Sequence, residues 1–138
     1  MPLDGGEVVD ISIGNPAAGT DWIYTVPAEY EMTLLHVFFR LVTDANVAVR
    51  YPMWVMWGID GFDRVRNRFT TNITAGLTRN FSYALGNARA DSLVLVTYSD
   101  ALPNCRWGPG EKWGPATTGL QATDQFSIIH QLVVRWRV

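Results

Sequence analysis

Over 47–59 every second residue is apolar: Val47, Val49, Tyr51, Met53, Val55, Trp57 and Ile59. Successive side chains of a β-strand point to opposite faces, so this period sets all seven on one side of a strand, whereas a helix would scatter them around its circumference. Pro52 interrupts the run. It cannot donate to a ladder, so it marks a sheet edge, a bulge or a division into two strands. Trp54 falls on the face opposite Trp57, which leaves 53–57 apolar on both sides. In a fold of two sheets, the outer cover for such a strand comes from a loop or from another chain.

The same period runs through the rest of the chain. Strand-length runs at 8–13, 21–26, 33–42, 68–74, 77–84, 93–98 and 125–138 are separated by Gly, Pro, Asn and Asp. In 125–138, residues Phe126, Ile128, His130, Leu132, Val134, Trp136 and Val138 fall on one face. The segment 104–119 is rich in Gly and Pro and reads mostly as loop. No stretch has a capped 3.6-residue period. The expectation is an all-β, single-domain β-sandwich, jelly-roll-like, with about eight antiparallel strands and the long strands 33–42 and 125–138 at its centre. It occupies 1–138 with a short N-terminal arm, 1–7.

The 138 residues are enough to bury roughly two-thirds of the surface of the unfolded chain, so a core forms without disulfides or metals. Only 17% of the residues are charged, below the usual quarter or so, which favours a surface partly covered by a partner. A net charge of −2 gives no footprint for nucleic acid or an anionic membrane. Ten of the eleven basic residues are Arg, the exception being Lys112. Arg is enriched and Lys depleted at the centre of protein interfaces; a high-GC coding sequence gives the same bias. Residues 1–10 lack a basic region followed by an apolar one and do not read as a signal peptide, and no apolar run reaches membrane-helix length.

The residues that carry chemistry are scattered. His36 and His130 each lie within a strand, and His130 alternates in phase with apolar neighbours, so a buried or half-buried ring is expected. No second ligand stands at strand spacing to make a metal site. Cys105, the single cysteine, lies in a Pro/Gly-rich loop, with only Arg106 nearby to lower its pKa. Apart from Asp4, the aspartates fall mostly at strand ends, where Asp serves turns. Catalytic, cofactor and metal residues are therefore expected to be absent, and the chain reads as a non-enzyme. The aromatic residues are the stronger lead. Trp107 and Trp113 lie in 104–119, where aromatic side chains serve as interface anchors or sugar-stacking platforms, or else cap the open end of a sandwich.

Asn15-Pro16-Ala17-Ala18-Gly19-Thr20-Asp21-Trp22, leading to Tyr24-Thr25-Val26-Pro27-Ala28, resembles the opening of small β-sandwich virion proteins of tailed bacteriophages. Leu34-Leu35, Leu41-Val42-Thr43-Asp44-Ala45, Val47-Ala48 and Arg50-Tyr51-Pro52 continue in the same style. So does the end, from Leu120-Gln121-Ala122-Thr123-Asp124-Gln125-Phe126-Ser127 to Leu132-Val133-Val134-Arg135-Trp136. The resemblance departs at Glu29, where a turn glycine is usual, and at Arg135, where an acidic residue is usual. It implies a capsid decoration (cement) protein, made in the host cytoplasm and placed on the capsid exterior. Its implied partners are the major capsid protein and copies of itself in a homotrimer. The alternative is a tail-fibre, receptor-binding or carbohydrate-binding module. The expected interface residues are Trp54, Trp107, Trp113, Arg40, Arg50, Arg135 and Arg137.

Overall fold

The computed structural model describes residues 5–69, 72–87, 89–92 and 97–138, without the side chains of 90–92. Ten strands are present: β1 (Glu7–Ile13), β2 (Tyr24–Thr25), β3 (Tyr30–Val42), β4 (Met53–Trp57), β5 (Asp63–Arg68), β6 (Thr78–Leu85), β7 (Ala90–Ser92), β8 (Thr97–Leu102), β9 (Lys112–Pro115) and β10 (Gln125–Arg137). They form a six-stranded sheet, in the order β1-β10-β3-β6-β8-β7, and a four-stranded sheet, β2-β9-β4-β5. The two sheets make a β-sandwich, and the long strands β3 and β10 pair at the centre of the larger one.

Two features of the expected strand plan are corrected. There are ten described strands rather than about eight, and one pair is parallel: β8 lies beside β6 in the same direction. The short β7 runs antiparallel to β8 on the outer edge, so the chain overshoots to the edge before returning to fill the place next to β6. The segment 104–119 is not all loop, because β9 lies within it and joins β2 to β4. Of the strand expected over 93–98, residues 93–96 lie outside those described, as do 70–71 of the strand expected over 68–74 and 1–4 of the arm.

Pro52 divides the long run, with regular pairing beginning at Met53. Before it the chain makes only single bridges, Arg50 to Ile73 and Tyr51 to Thr118. Within β4 the inner face is Trp54 and Met56, which join Trp22, Phe39, Phe81, Tyr83, Tyr98, Trp113 and Phe126 in one core. The Phe39 ring stacks on Phe81 at 4.8 Å and meets Trp22 edge-on at 5.3 Å; Trp54 stacks on Tyr83 at 5.1 Å. Val55 points to the other face, yet is only 1% exposed. The cover required on that side is supplied by the chain itself. Close packing continues at Gly114, the partner of Val55 in β9, where a Cβ would lie 2.2 Å from the Trp22 carbonyl oxygen.

The single alternating face expected for 125–138 is broken by the register shift between Ser127 and His130, where β10 carries one extra residue; at a second shift, between Leu132 and Val133, the extra residue is Leu35 of β3. Ile128 takes φ of 52°, a left-handed conformation unfavourable for a β-branched residue. The extra residue in β10 reverses its phase there. Phe126 faces the core, but so then do Ile129, Gln131 and Val133, while His130 turns outward and is exposed, against the expectation for it. Gln131 is a polar side chain in the core, and its Oε1 accepts the indole N–H of Trp113 at 2.8 Å.

One buried ion cluster joins the loops at one end of the sandwich. Arg50 is fully buried, and all five of its N–H donors are used. Nε and Nη2 donate to the two Asp124 oxygens at 2.9 and 3.0 Å, and Nη2 also donates to Asp44 Oδ1 at 2.9 Å. Nη1 donates to the carbonyls of Ala48 at 2.7 Å and Asn46 at 3.2 Å. Asp124 also accepts the backbone N–H groups of Asp44 and Gln121, each at 2.8 Å. Asp44 takes the Thr123 hydroxyl at 2.6 Å and the backbone N–H of Asn46 at 3.0 Å.

Burial pushes the Asp124 carboxyl up, but the hydrogen bonds from Arg50, Gln121 and Asp44, with the Arg50 charge, outweigh it and hold it below 3.8. The Thr123 hydroxyl, with the Asn46 and Thr123 N–H groups and Arg50, holds Asp44 below 3.8 against a smaller opposing push from burial. Both carboxyls therefore bind a proton less tightly folded than unfolded. Their stabilisation is complete above the unfolded value and is lost as pH falls through the lowered folded values. Asp124→Ala should cost about 3–5 kcal/mol in urea melts at neutral pH, because it strands a buried guanidinium. Asp124→Asn should also lose stability there, and should flatten the acid loss that the unsubstituted protein shows below about pH 4.

Candidate functional site

Four of the seven residues expected at an interface lie inside the molecule. Trp54 and Trp113 are fully buried, Trp107 is nearly so, and Arg50 is held in the ion cluster. The reason is local to 104–119. Trp107 makes an antiparallel bridge with Met32, its N–H donating at 2.7 Å and its carbonyl accepting at 2.8 Å, and Trp113 stands in β9 opposite Met56. Gly and Pro around them set turns, while these anchored points aim both indoles inward. Trp113 stacks on Tyr24 at 5.4 Å.

The other three keep access to solvent. Arg40 is half-buried on the outer face of the six-stranded sheet, its Nε donating to Asn80 Oδ1 at 2.9 Å. Arg135 and Arg137 lie over the Tyr30 ring at 4.7 and 5.1 Å. Arg135 also pairs with Glu7 at 3.0 Å, and Arg137 donates to the Tyr30 hydroxyl at 3.0 Å. Nearby, Arg106 sits 3.7 Å above the Trp136 ring and pairs with Glu31.

Register brings both histidines to the outer face of the large sheet. His130 lies opposite Phe38 and His36 opposite Leu132, so the two rings are diagonal neighbours. Each meets a serine: Ser12 Oγ is 3.0 Å from His130 Nδ1, and Ser82 Oγ is 3.1 Å from His36 Nε2. Among the described residues, no three His, Cys, Asp or Glu side chains converge. Partial burial, and then the charge of Glu111, push the Cys105 thiol up, so it stays protonated at neutral pH.

A concave feature lies on the four-stranded sheet. Tyr51, Met53, Arg66, Arg68 and Thr118 line a cavity of about 370 Å³ on its outer face. Met53 pairs with Arg68 and Val55 with Arg66, which sets both arginines on the side away from Trp54 and Met56. The Arg68 guanidinium lies 5.7 Å from the centre of the Tyr51 ring. Arg64 and Arg66 pair with the exposed Asp60 and Asp63 of the preceding hairpin. The sequence does carry a signal for this surface, Arg64, Arg66 and Arg68 at spacing two. The weak strand expected at 68–74 began where β5 ends, so the three were never set on one face.

Comparison with protein-family models, with curated proteins and with solved structures finds no match to this chain.

The placement of the tryptophans is directly testable. Trp113→Ala should destabilise the isolated protein by about 3–5 kcal/mol, a Tm lowered by roughly 10 °C. Arg68→Ala should change stability by less than about 0.5 kcal/mol. A Trp113→Ala protein melting with the unsubstituted one would contradict an inward-facing indole.

Proposed function

We propose that this chain is a decoration protein of a tailed-bacteriophage capsid, a rigid sandwich that binds the outside of the shell and bridges adjacent copies of the major capsid protein. The observation that carries the reading is the set of large apolar side chains left uncovered on loops. Val47 is 98% exposed, Ile59 75% and Phe62 72%, the last two on the hairpin between β4 and β5. Exposed apolar side chains grouped on a hairpin tip favour a partner surface. The resemblance of 15–28 and 120–136 to small virion proteins supports the same reading. The buried state of Trp107 and Trp113 counts against the sugar-stacking alternative, which needs both rings exposed.

The decoration protein acts as a homotrimer at local three-fold positions of the shell, and its work is mechanical. Purified protein should co-sediment with empty capsids of its phage, saturating at hundreds of copies per particle by quantitative mass spectrometry. Ile59→Asp together with Phe62→Asp should weaken that binding at unchanged Tm. Protein that stays monomeric at high concentration and leaves matching capsids bare would overturn the reading.

A further inference from the structure

We propose that the free edge of β5, with the groove beside it, is a docking site for an acidic segment of a partner protein bound in extended conformation as an added strand. This rests on the reading of the chain as a binding protein, but not on which particle it coats.

The backbone supports the first half of this. The N–H of Ala116 donates to the Met53 carbonyl at 2.8 Å, so Met53 turns its ladder groups toward β9 and away from β5. Met53 and Arg68 are therefore a non-hydrogen-bonded pair, and Arg68 directs its own N–H and C=O away from β4. Arg66, two residues earlier, does the same. Among the described residues β5 pairs with no strand but β4. The Arg68 carbonyl is occupied, since it accepts from the Arg89 guanidinium. The backbone N–H and C=O of Arg66 are thus the groups offered at the middle of the edge, and an extended peptide meets such groups by strand addition.

The side chains supply the second half. Arg66 and Arg68 line the groove together with Tyr51, Met53 and Thr118. Alternate residues of an added strand stand at the same spacing as Arg66 and Arg68, so carboxylates at positions i and i+2 meet both guanidiniums while the residue between turns away. Arg68 has no carboxylate partner among the described residues. The partners of Arg64 and Arg66 are exposed and local, and such pairs are weak enough for an incoming carboxylate to displace. Asp60 and Asp63 hold two of the three arginines in place when the edge is empty. Charge on an edge strand also keeps copies of a protein from pairing with each other. Here that protection is selective, because it repels a basic strand and attracts an acidic one.

The test uses the full chain and a fluorescein-labelled peptide, Gly-Ser-Glu-Val-Glu-Val-Glu-Ser-Gly, read by anisotropy. Two comparison probes are the same peptide with Lys for Glu and single-stranded oligothymidylate. The acidic peptide should bind, the basic one should not, and hydrogen exchange at the Arg66 amide should slow when the peptide is present. Arg66→Pro removes that N–H without touching the β4 ladder and should weaken binding about tenfold. If that variant fails to fold, Arg66→Glu with Arg68→Glu should abolish binding at unchanged Tm. Equal binding of oligothymidylate would make the surface a general polyanion patch and overturn the proposal, as would an Arg66→Pro protein that folds and binds like the unsubstituted one. Capsid binding that survives while peptide binding is absent removes this site alone; peptide binding without capsid binding removes the decoration reading alone.

Discussion

Arg50 is the group on which the loop end of the sandwich depends. A guanidinium withdrawn from water is tolerated only when its charge is matched and every N–H finds an acceptor. Asp124 and Asp44 provide the charge, and the carbonyls of Asn46 and Ala48 complete the set. The geometry fixes where three stretches of chain can go: the turn after β3, the approach to β4, and the loop before β10. Gly119 shows how closely they come together, with φ of 84° and its missing Cβ replaced by the Val49 carbonyl oxygen at 2.3 Å. Neighbouring Tyr51 and Thr118 exchange backbone hydrogen bonds at 2.8 and 3.1 Å. An ion cluster of this kind selects one arrangement of loops, since any other leaves a charge buried and unpaired.

Between the sheets the interior is mostly aromatic. Rings of Trp22, Phe39, Trp54, Phe69, Phe81, Tyr83, Tyr98 and Phe126 touch in a continuous stack with centroids about 5–6 Å apart. This accounts for two of the six tryptophans, Trp22 and Trp54, without reference to a ligand. A polar link across it, Trp113 to Gln131, joins β9 of the small sheet to β10 of the large one. Its existence depends on the bulge at Ile128, since without the phase change Gln131 would face solvent and His130 the core. A strained backbone at one residue thus decides both the inner partner of Trp113 and the outward position of a histidine.

The two sheets present their edges differently. β1 closes one edge of the large sheet, carrying Glu7 and Asp10 and tied back through the Glu7–Arg135 pair. β5 closes the small sheet with three arginines and a groove at its side, and among the described residues it pairs with no strand but β4. The apolar hairpin tip at Ile59 and Phe62 leads into β5 at one end, and the groove lies beside the Met53–Arg68 pair at the other end of the same two strands.

Alternation by itself determined the class of fold and the centrality of 33–42 and 125–138, and Pro52 marked an irregularity in the long run, because side-chain period and a missing N–H are properties of the local chain. Turn chemistry marked Asp44 and Asp124 as loop residues, which they are, but gave no sign that they share a buried arginine 6 and 74 positions away. Trp54, Trp107, Trp113 and Arg50 read as candidates for a surface because pattern assigns a residue to a face and never says which face is covered. The phase reversal in β10 and the parallel pairing of β8 with β6 were likewise decided by tertiary structure. Each depends on which strand lies alongside, and neighbours in a sheet are set by long-range closure of the core, not by the residues adjacent in sequence.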